Sequence, residues 1–249
     1  PLYSSAASDV YKRQPKSIKP KDWQSRGNPQ NLLGHSIFVV DEGPVNAPVI
    51  LLLHGFPTSS WDWNLIWESL KKDHRLIALD MLGFGFSDKP NRRDYSIHQQ
   101  ADIVEALIKK YQLKEFHVLA HDYGDTVAQE LLSRQIEENG AGYWLSCCFL
   151  NGGLFPETHR ALLTQKLLLS PLGKYLNYFT GFSKFSTNFS SVFGAQSKPS
   201  EQDLKDFWQI INFNDGKHLF HNLITYIRDR REHRNRWVSA LQKLSLIHI

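Results

Sequence analysis

The sequence lacks the features that define several large classes of protein. Its only two cysteines are adjacent, Cys147 and Cys148, so they cannot form a disulfide framework and do not have the spacing of a zinc or redox motif. No apolar run approaches the roughly 18 to 20 residues needed to span a bilayer. Lys and Arg exceed Asp and Glu by only four charges, 29 against 25, which is a weak basis for a nucleic-acid-binding surface. Secreted disulfide scaffolds and integral membrane bundles are therefore excluded.

The composition that is present suits a globular domain. The chain has 249 residues, of which 41% are hydrophobic, too apolar for a disordered protein and long enough for one domain. Residues 1–14 show neither helical nor strand periodicity, and we interpret them as a non-native leader. Residues 244–249 are either the start of a further core strand or an artefactual tail. We therefore interpret the chain as a C-terminally truncated fragment.

Apolar runs alternate with amphipathic stretches over residues 15–154, the predicted core. The runs indicate strands, and apolar residues at helical spacing indicate helices between them. The predicted strands cover 35–41, 49–53, 76–79, 116–120 and 145–150. Strands alternating with helices favour an α/β fold with a mostly parallel sheet.

The alternation stops after Gly153, and residues 155–243 read as helices separated by polar loops. We predict that this block is a helical cap over the carboxyl edge of the sheet, where ligands of α/β proteins bind. Within it, the basic run 228–236 is interrupted by acidic residues, which favours a solvated helix face over a site for nucleic acid or lipid headgroups.

The segment HDYGD at 121–125 lies between a predicted strand and a predicted helix. Its spacing matches G-x-S-x-G, the tight turn that presents a nucleophile above a sheet, with Asp122 at the position of the nucleophile. Ala120 and Gly124 are small enough to let the turn close, and the following helix N-terminus favours a negative charge. A plain strand-to-helix turn is the alternative, but it leaves the flanking elements and the next motif unexplained.

That next motif is HGFP at 54–57, directly after the apolar run 49–53. Enzymes with such a turn take one oxyanion-hole N–H from this loop and another from the residue after the nucleophile. The predicted donors are the backbone N–H groups of Phe56 and Tyr123. An ordinary Gly-Pro turn would account for the glycine and the proline, but not for their coincidence with the second motif.

These segments resemble the α/β-hydrolases related to epoxide hydrolases and haloalkane dehalogenases. The resemblance covers about residues 30–243 and rests on HGFPTSSWDW, ALDMLGFGFSDKP, HDYGDTVAQELL and LNGGLFPETHR. It implies an α/β-hydrolase fold, a mostly parallel sheet with helices on both faces and an inserted helical cap, incomplete at the C-terminus. It also implies an aspartate nucleophile that acts through a covalent ester.

An aspartate nucleophile fits the chemistry of the turn. A carboxyl group with an ordinary pKa of about 3.9 is already ionised at neutral pH and needs no base before it attacks. Attack on an electrophilic carbon gives an alkyl-enzyme ester, whose hydrolysis requires a histidine oriented by a carboxylate. In this fold both follow the nucleophile in the chain, and we expect them beyond Ile249.

The resemblance also indicates the substrate pocket. Lid tyrosines donate the proton for epoxide opening in the relatives, although each tyrosine here would equally fit as lid packing. Phe56 and Tyr123 replace the side-chain donors that hold halide, which disfavours dehalogenation. The expected substrate is a small apolar or lipid-like epoxide or ester, with no cofactor, metal or nucleic acid. The candidate pocket residues are His54, Gly55, Pro57, His121, Tyr175, Tyr178 and Tyr226.

Two further expectations concern location and activity. The relatives carry an N-terminal hydrophobic segment and associate with the endoplasmic reticulum membrane. This sequence shows no such segment, so membrane association is implied by the resemblance alone. The alternative to an enzyme is a non-catalytic member of the fold that uses the cleft for binding, or an inactive fragment that lacks the acid and the base.

Overall fold

The computed structural model describes residues 17–90, 95–158 and 163–243. The predicted leader, residues 1–14, and the predicted tail, residues 244–249, lie outside the described residues. The strands are β1 Asn28–Leu32, β2 His35–Glu42, β3 Val49–Leu53, β4 Arg75–Leu79, β5 Glu115–His121 and β6 Tyr143–Leu150.

These strands form one sheet in the order β1-β2-β4-β3-β5-β6. β1 pairs antiparallel with β2, and β2 pairs antiparallel with β4, whereas the remaining pairs are parallel. Parallel pairing brings the carboxyl ends of β3 and β5 to the same edge, with Leu53 opposite Ala120. The mostly parallel sheet is therefore confirmed, and β1 is an addition that the sequence pattern did not indicate.

The helices of the first half follow the predicted alternation. The helix Ile97–Lys110 begins after Ser96, whose side chain accepts the N–H of Gln99, as an N-cap serine does. The helix after β5 starts at Tyr123, so that Asp122 alone separates it from the end of the strand. The helices are α1 Pro20–Arg26, α2 Asn64–Leu70, α3 Ile97–Lys110 and α4 Tyr123–Ile136.

The described chain after β6 consists of helices joined by loops, without a strand. Two 3₁₀ turns, Pro156–Thr158 and Phe213–Leu219, accompany the helices. The helices are α5 Leu163–Leu168, α6 Gly173–Tyr178, α7 Phe182–Ser190, α8 Glu201–Asn212, α9 Phe220–Leu223, α10 Tyr226–Glu232 and α11 Arg234–Lys243. We refer to the segment 156–243 as the helical region.

The sheet separates two apolar clusters. One contains the inward faces of α3 and α4 together with residues of α9, α10 and α11, including Trp237. The other is built on tryptophans, with the rings of Trp23 and Trp67 in edge contact at 4.9 Å between centroids. Because α10 and α11 share the core of α3 and α4, the helical region is packed on the sheet rather than merely tethered to it.

Polar contacts fix that packing. Glu130 on α4 accepts the indole N–H of Trp237 at 2.8 Å and also bonds Arg236, both on α11. Asp229 on α10 accepts the backbone N–H of Ile97 at 3.0 Å, at the start of α3. A buried carboxylate is tolerated where charged or N–H donors surround it, so these contacts hold α10 and α11 in register with the core.

The strand β6 differs from its expected environment. Its apolar run favoured a buried strand, yet β6 is the terminal strand of this sheet and several of its side chains are exposed, Tyr143, Leu145 and Leu150 among them. The pairing partner on one side is β5. The apolar pattern predicted the strand itself but not the exposure of its outer face.

Candidate active site

Asp122 occupies the sharp turn between β5 and α4. Its backbone has φ 49° and ψ −102°, a conformation that non-glycine residues adopt rarely and that recurs at functional turns. Its N–H donates to the carbonyl of Leu150 at 3.1 Å, which ties the turn to β6. The carboxylate does not cap α4, so it faces the loop after β3.

Two glycines allow this close approach. A Cβ on Gly124 would lie 2.3 Å from the carbonyl oxygen of Leu53, so α4 can begin directly behind β3 only without a side chain there. A Cβ on Gly55 would lie 2.7 Å from Nδ1 of His121 and 3.2 Å from Cβ of Asp122. The small residues that the two motifs contain are therefore explained by backbone contact between the two loops.

The loop after β3 directs a donor at the carboxylate. The backbone N–H of Phe56 donates to Oδ2 of Asp122 at 3.0 Å. Tyr123 is the first residue of α4, and the N–H groups of a first helical turn have no partner within the helix. The structure thus brings together the two residues predicted as oxyanion donors and the predicted nucleophile.

His54 has a different role from the one expected of a pocket residue. It is fully buried, Nδ1 lies 2.9 Å from the carbonyl of Gly55, and Nε2 lies 3.0 Å from the backbone nitrogen of Met81. Since Nε2 must accept the Met81 N–H, Nδ1 carries the proton. Burial lowers the pKa of His54, which favours this neutral form. His54 is therefore buried, and its two bonds link the loop after β3 to Met81.

A carboxyl group that the sequence analysis missed supports the same loop. Oδ2 of Asp62 accepts the hydroxyl of Thr58 at 2.5 Å and the N–H of Gly55 at 3.4 Å. Nδ1 of His121 lies 3.9 Å from the same oxygen. Burial raises the pKa of Asp62 to about 7. The predicted pocket residue His121 therefore faces Asp62. The sequence feature that indicates a buried acid at this position is its place between two tryptophans, Trp61 and Trp63.

A buried arginine of the helical region reaches the turn. Arg230 on α10 is 3% exposed, and its Nη2 donates to the backbone carbonyl of Asp122 at 3.0 Å. The same Nη2 lies 3.9 Å from Oδ1 of Asp122. Nε donates to the hydroxyl of Thr126 at 2.7 Å. The prediction that the run 228–236 is a solvated face is wrong for this residue, because a guanidinium can be buried where a carboxylate and carbonyl oxygens receive it.

A second carboxyl group lies one helical turn after the nucleophile. Asp125 is buried in α4, and a Cβ on Gly152 would overlap its carboxyl oxygen. Burial, together with the charge of Asp122, raises the pKa of Asp125 to about 8 against the opposing charge of Arg230. The Asp122 turn therefore has a second acid, Asp125, and one guanidinium next to it.

The structure separates the three candidate tyrosines. Tyr226 is buried, with its ring 4.9 Å from that of Tyr123 and 6.2 Å from that of Phe56, and the Arg230 guanidinium lies 4.5 Å above it. Tyr175 and Tyr178, on α6, are 57% and 69% exposed. Those two are therefore not brought together with Asp122: α6 turns them towards solvent, a direction that the spacing of aromatic residues does not reveal.

A cavity of about 210 Å³ opens beside the loop, between Phe56 and Pro57 and helices α5, α7 and α9. Its walls are mostly apolar, with Leu168, Phe185 and Phe189 among them. Among the described residues that line it, Lys184 carries the one charge. Pro57 is thus the residue of the predicted pocket set that lines this cavity, and Phe56, whose N–H bonds Asp122, lines it too.

The described ranges lack two further kinds of feature. No helix there has the length and apolar character needed to cross a membrane. No cluster of three or more His, Cys, Asp or Glu side chains in the described part of the chain has an arrangement that could hold a metal ion.

Comparison with known proteins agrees with this architecture. Residues 48–182 match the family described as alpha/beta hydrolase fold, and the chain belongs to that family. It is 49% identical over 237 residues to the mesoderm-specific transcript homolog protein of Bos taurus, covering 90% of this chain and 69% of that protein. It is 36% identical over 89 residues to epoxide hydrolase 2 of Caenorhabditis elegans, covering 35% of this chain and 25% of the relative.

A solved structure gives the same fold. An alpha/beta hydrolase fold protein from Burkholderia ambifaria superposes with a TM-score of 0.69 at 23% identity, covering 85% of this chain and 74% of the other. The fold class predicted from the sequence is therefore confirmed, and the homologues include hydrolases.

Proposed function

We propose that this chain carries the nucleophile of a hydrolase, Asp122, which attacks an electrophilic carbon of an epoxide or related lipid-like substrate. One observation carries the proposal: a carboxylate on a strained strand-to-helix turn lies 3.0 Å from the Phe56 N–H of a neighbouring loop. A structural aspartate at a helix start would cap the helix, but Asp122 does not. The similarity to an epoxide hydrolase supports this choice of reaction.

In the first step, a carboxylate oxygen of Asp122 forms a bond to a ring carbon of the epoxide. The C–O bond of the ring breaks, and its electron pair stays on the ring oxygen, which takes a proton. The product is an ester on Asp122 with a free hydroxyl on the neighbouring carbon. In the second step, a general base takes a proton from water, which attacks the ester carbonyl, and the N–H groups of Phe56 and Tyr123 stabilise the oxyanion. The bond between the carbonyl carbon and the alkyl oxygen then breaks, the alkyl oxygen takes the proton, and the diol leaves with Asp122 restored as a carboxylate.

Tyr226 is our candidate for the proton donor of the first step. It is the predicted tyrosine that lies in the ring cluster next to Asp122, against Tyr123 and Phe56. Burial raises the pKa of Tyr226, and the charge of Asp122 adds to this rise. The hydroxyl is therefore protonated at neutral pH, as a donor must be.

The cavity supports an apolar substrate and a capping role for the helical region. Phe56 contacts both the nucleophile and the cavity: its backbone N–H donates to Asp122, and Phe56 is also one of the residues that line the cavity. A cavity of about 150 Å³ is enough for benzene, so about 210 Å³ suits an aromatic ring with a short substituent or a short alkyl chain. Because α5, α7 and α9 form its walls, the helical region would enclose that group over the carboxyl edge of β3 and β5.

The test is covalent labelling with an aryl epoxide such as styrene oxide. We expect the intact mass of the folded protein to rise by the mass of one reagent molecule, and peptide mapping to locate the ester on Asp122. Asp122→Asn should lose this adduct, because a neutral amide is a poor nucleophile. Asp73→Asn, which changes an exposed aspartate, should label like the parent chain. Cooperatively folded protein without an adduct on Asp122 would contradict the proposal and favour a binding role for the cleft.

A further inference from the structure

Arg230 is costly to bury, and its position therefore requires an explanation. Removing a guanidinium from water is unfavourable by several kcal/mol unless partners compensate. Arg230 belongs to α10 in the helical region, more than 100 residues after the turn it contacts, and it is 3% exposed. Its guanidinium lies 3.9 Å from a carboxylate oxygen of Asp122.

The guanidinium is held from four sides. Nε donates to the hydroxyl of Thr126 and Nη2 to the carbonyl of Asp122. A Cβ on Gly153 would lie 2.4 Å from Nη1, so a side chain at that position would displace the group. The ring of Tyr226 lies beneath it. A planar group with contacts on its edge and its face has little freedom to reorient.

Charge gives a second reason for this placement. Asp125 lies three residues after Asp122, in the first part of α4, and burial keeps it mostly protonated at neutral pH by raising its pKa to about 8. Arg230 lies 3.9 Å from one oxygen of Asp122, and its charge also acts on Asp125. The guanidinium therefore lies beside the carboxylate of Asp122, while its hydrogen bond is made to the backbone of the same strained residue.

We propose that Arg230 is a positioning residue for the nucleophile: it fixes the carbonyl of the strained Asp122 turn, and with it the direction of the carboxylate. The inference rests on the function proposed for Asp122. It goes beyond that function because it assigns to α10, through Arg230, the role of fixing the backbone of Asp122. The helical region then influences the reactivity of Asp122 in addition to enclosing the substrate. Arg230 does not line the cavity, so it acts through Asp122 and not by contact with the apolar part of the substrate.

The experiment compares Arg230→Lys and Arg230→Met with the parent chain, using the dependence of the Asp122 labelling rate on styrene oxide concentration. A misplacement of about 1 Å costs on the order of 100-fold in rate, so Arg230→Met should lower the maximal rate at least about tenfold. The half-saturating concentration should change little, since the cavity is unaltered. Arg230→Lys keeps a cation that can reach the Asp122 carbonyl and should recover part of the rate. Arg231→Met, at an exposed position of the same helix, is the matched control.

A readout independent of reactivity separates this inference from the proposed function. Hydrogen exchange of the peptide 118–126 reports the bond from the Asp122 N–H to Leu150. Arg230→Met should speed exchange there at least about tenfold, Arg230→Lys less, and Arg231→Met not at all, even if the parent chain gives no adduct. If Arg230→Met does not fold, Thr126→Val removes the Nε partner alone and should show the same effects more weakly.

Three outcomes would overturn the inference. The first is a folded Arg230→Met that labels as fast as the parent chain or faster. The second is an unchanged exchange rate in the 118–126 peptide. The third is an equal loss in Arg230→Met and Arg230→Lys with a matching rise in half-saturating concentration, which would indicate a general loss of packing. An absent adduct in the parent chain contradicts the proposed function alone, because the exchange measurement still decides the role of Arg230.

Discussion

Replacing Asp62 by asparagine tests the electrostatics of the loop after β3. The side chain of Asp62 is 13% exposed, and its carboxyl group forms a hydrogen bond with Thr58 in the loop that contains Phe56. Both of its loop hydrogen bonds are accepted by one oxygen, Oδ2, from Thr58 and from Gly55. The amide oxygen of Asp62→Asn can accept the same two bonds, so the substitution removes a titrating charge while keeping the contacts.

The magnitude follows from the pKa of Asp62, which burial raises from 3.8 to about 7. A raised folded-state pKa means that the unfolded chain ionises first as the pH rises. The ionisation of Asp62 therefore costs no stability below pH 4, lowers the free energy of unfolding progressively between about pH 4 and 7, and leaves it lowered above pH 7. At about 1.36 kcal/mol per pH unit, the loss is about 4 kcal/mol at most, and water that reaches the partly exposed carboxyl group weakens it.

The assay is urea unfolding of both proteins at pH 5 and pH 8.5. We expect Asp62→Asn to be more stable than the parent chain at pH 8.5, by about 1 to 3 kcal/mol, and to keep less than half of that advantage at pH 5, where only part of the loss has developed. Asp73→Asn should show no such pH-dependent difference, because that side chain is exposed. A stability difference that is the same at both pH values, or an Asp62→Asn chain that is less stable at pH 8.5, would refute the reasoning.

Two further substitutions test the packing of the site and of the helical region. Gly124→Ala should lower the free energy of unfolding by about 1 to 3 kcal/mol and abolish labelling of Asp122, because its Cβ would meet the carbonyl oxygen of Leu53; unchanged urea unfolding would contradict the close approach. Trp237→Phe removes the indole donor to Glu130 and should cost about 1 to 2 kcal/mol, since that carboxylate keeps its arginine partners. Thermal unfolding of Trp237→Phe that matches the parent chain would count against this bond.

Much of the fold could be predicted because the signals are local. The run 49–53 is apolar at every position, as a strand covered on both faces requires, and it coincides with β3. The start of α3 also has a local cause, because Ser96 caps the helix that begins at Ile97. By contrast, β1 contains a proline and two asparagines and pairs at the edge of the sheet. Its stability comes from pairing with β2, which leaves little trace in a single sequence.

The site was predictable as far as backbone geometry determines it. The small residues of both motifs are required by contacts between two loops, so their spacing carried the information. Side chains that arrive from distant segments carried no such signal. Arg230 stands in a basic run that is typical of a solvated helix, and only the tertiary packing of α10 shows that it is internal. Tyr226 and Tyr178 have similar sequence surroundings, and the same packing buries one and exposes the other.

The burial of Arg230 has a wider consequence for α10. Tyr226, Asp229 and Arg230 are separated by three and four residues, so they share one face of the helix. Each makes a different contact with the core: Tyr226 packs on Tyr123, Asp229 accepts an N–H at the start of α3, and Arg230 bonds the nucleophile turn. A helix that only enclosed a substrate would need an apolar face. Two of the three residues on this face are instead polar, and both bond particular backbone groups, which fixes the position of α10 relative to the Asp122 turn. A shift of the helix along its axis would therefore break the contact with Asp122 and the contact with α3 together.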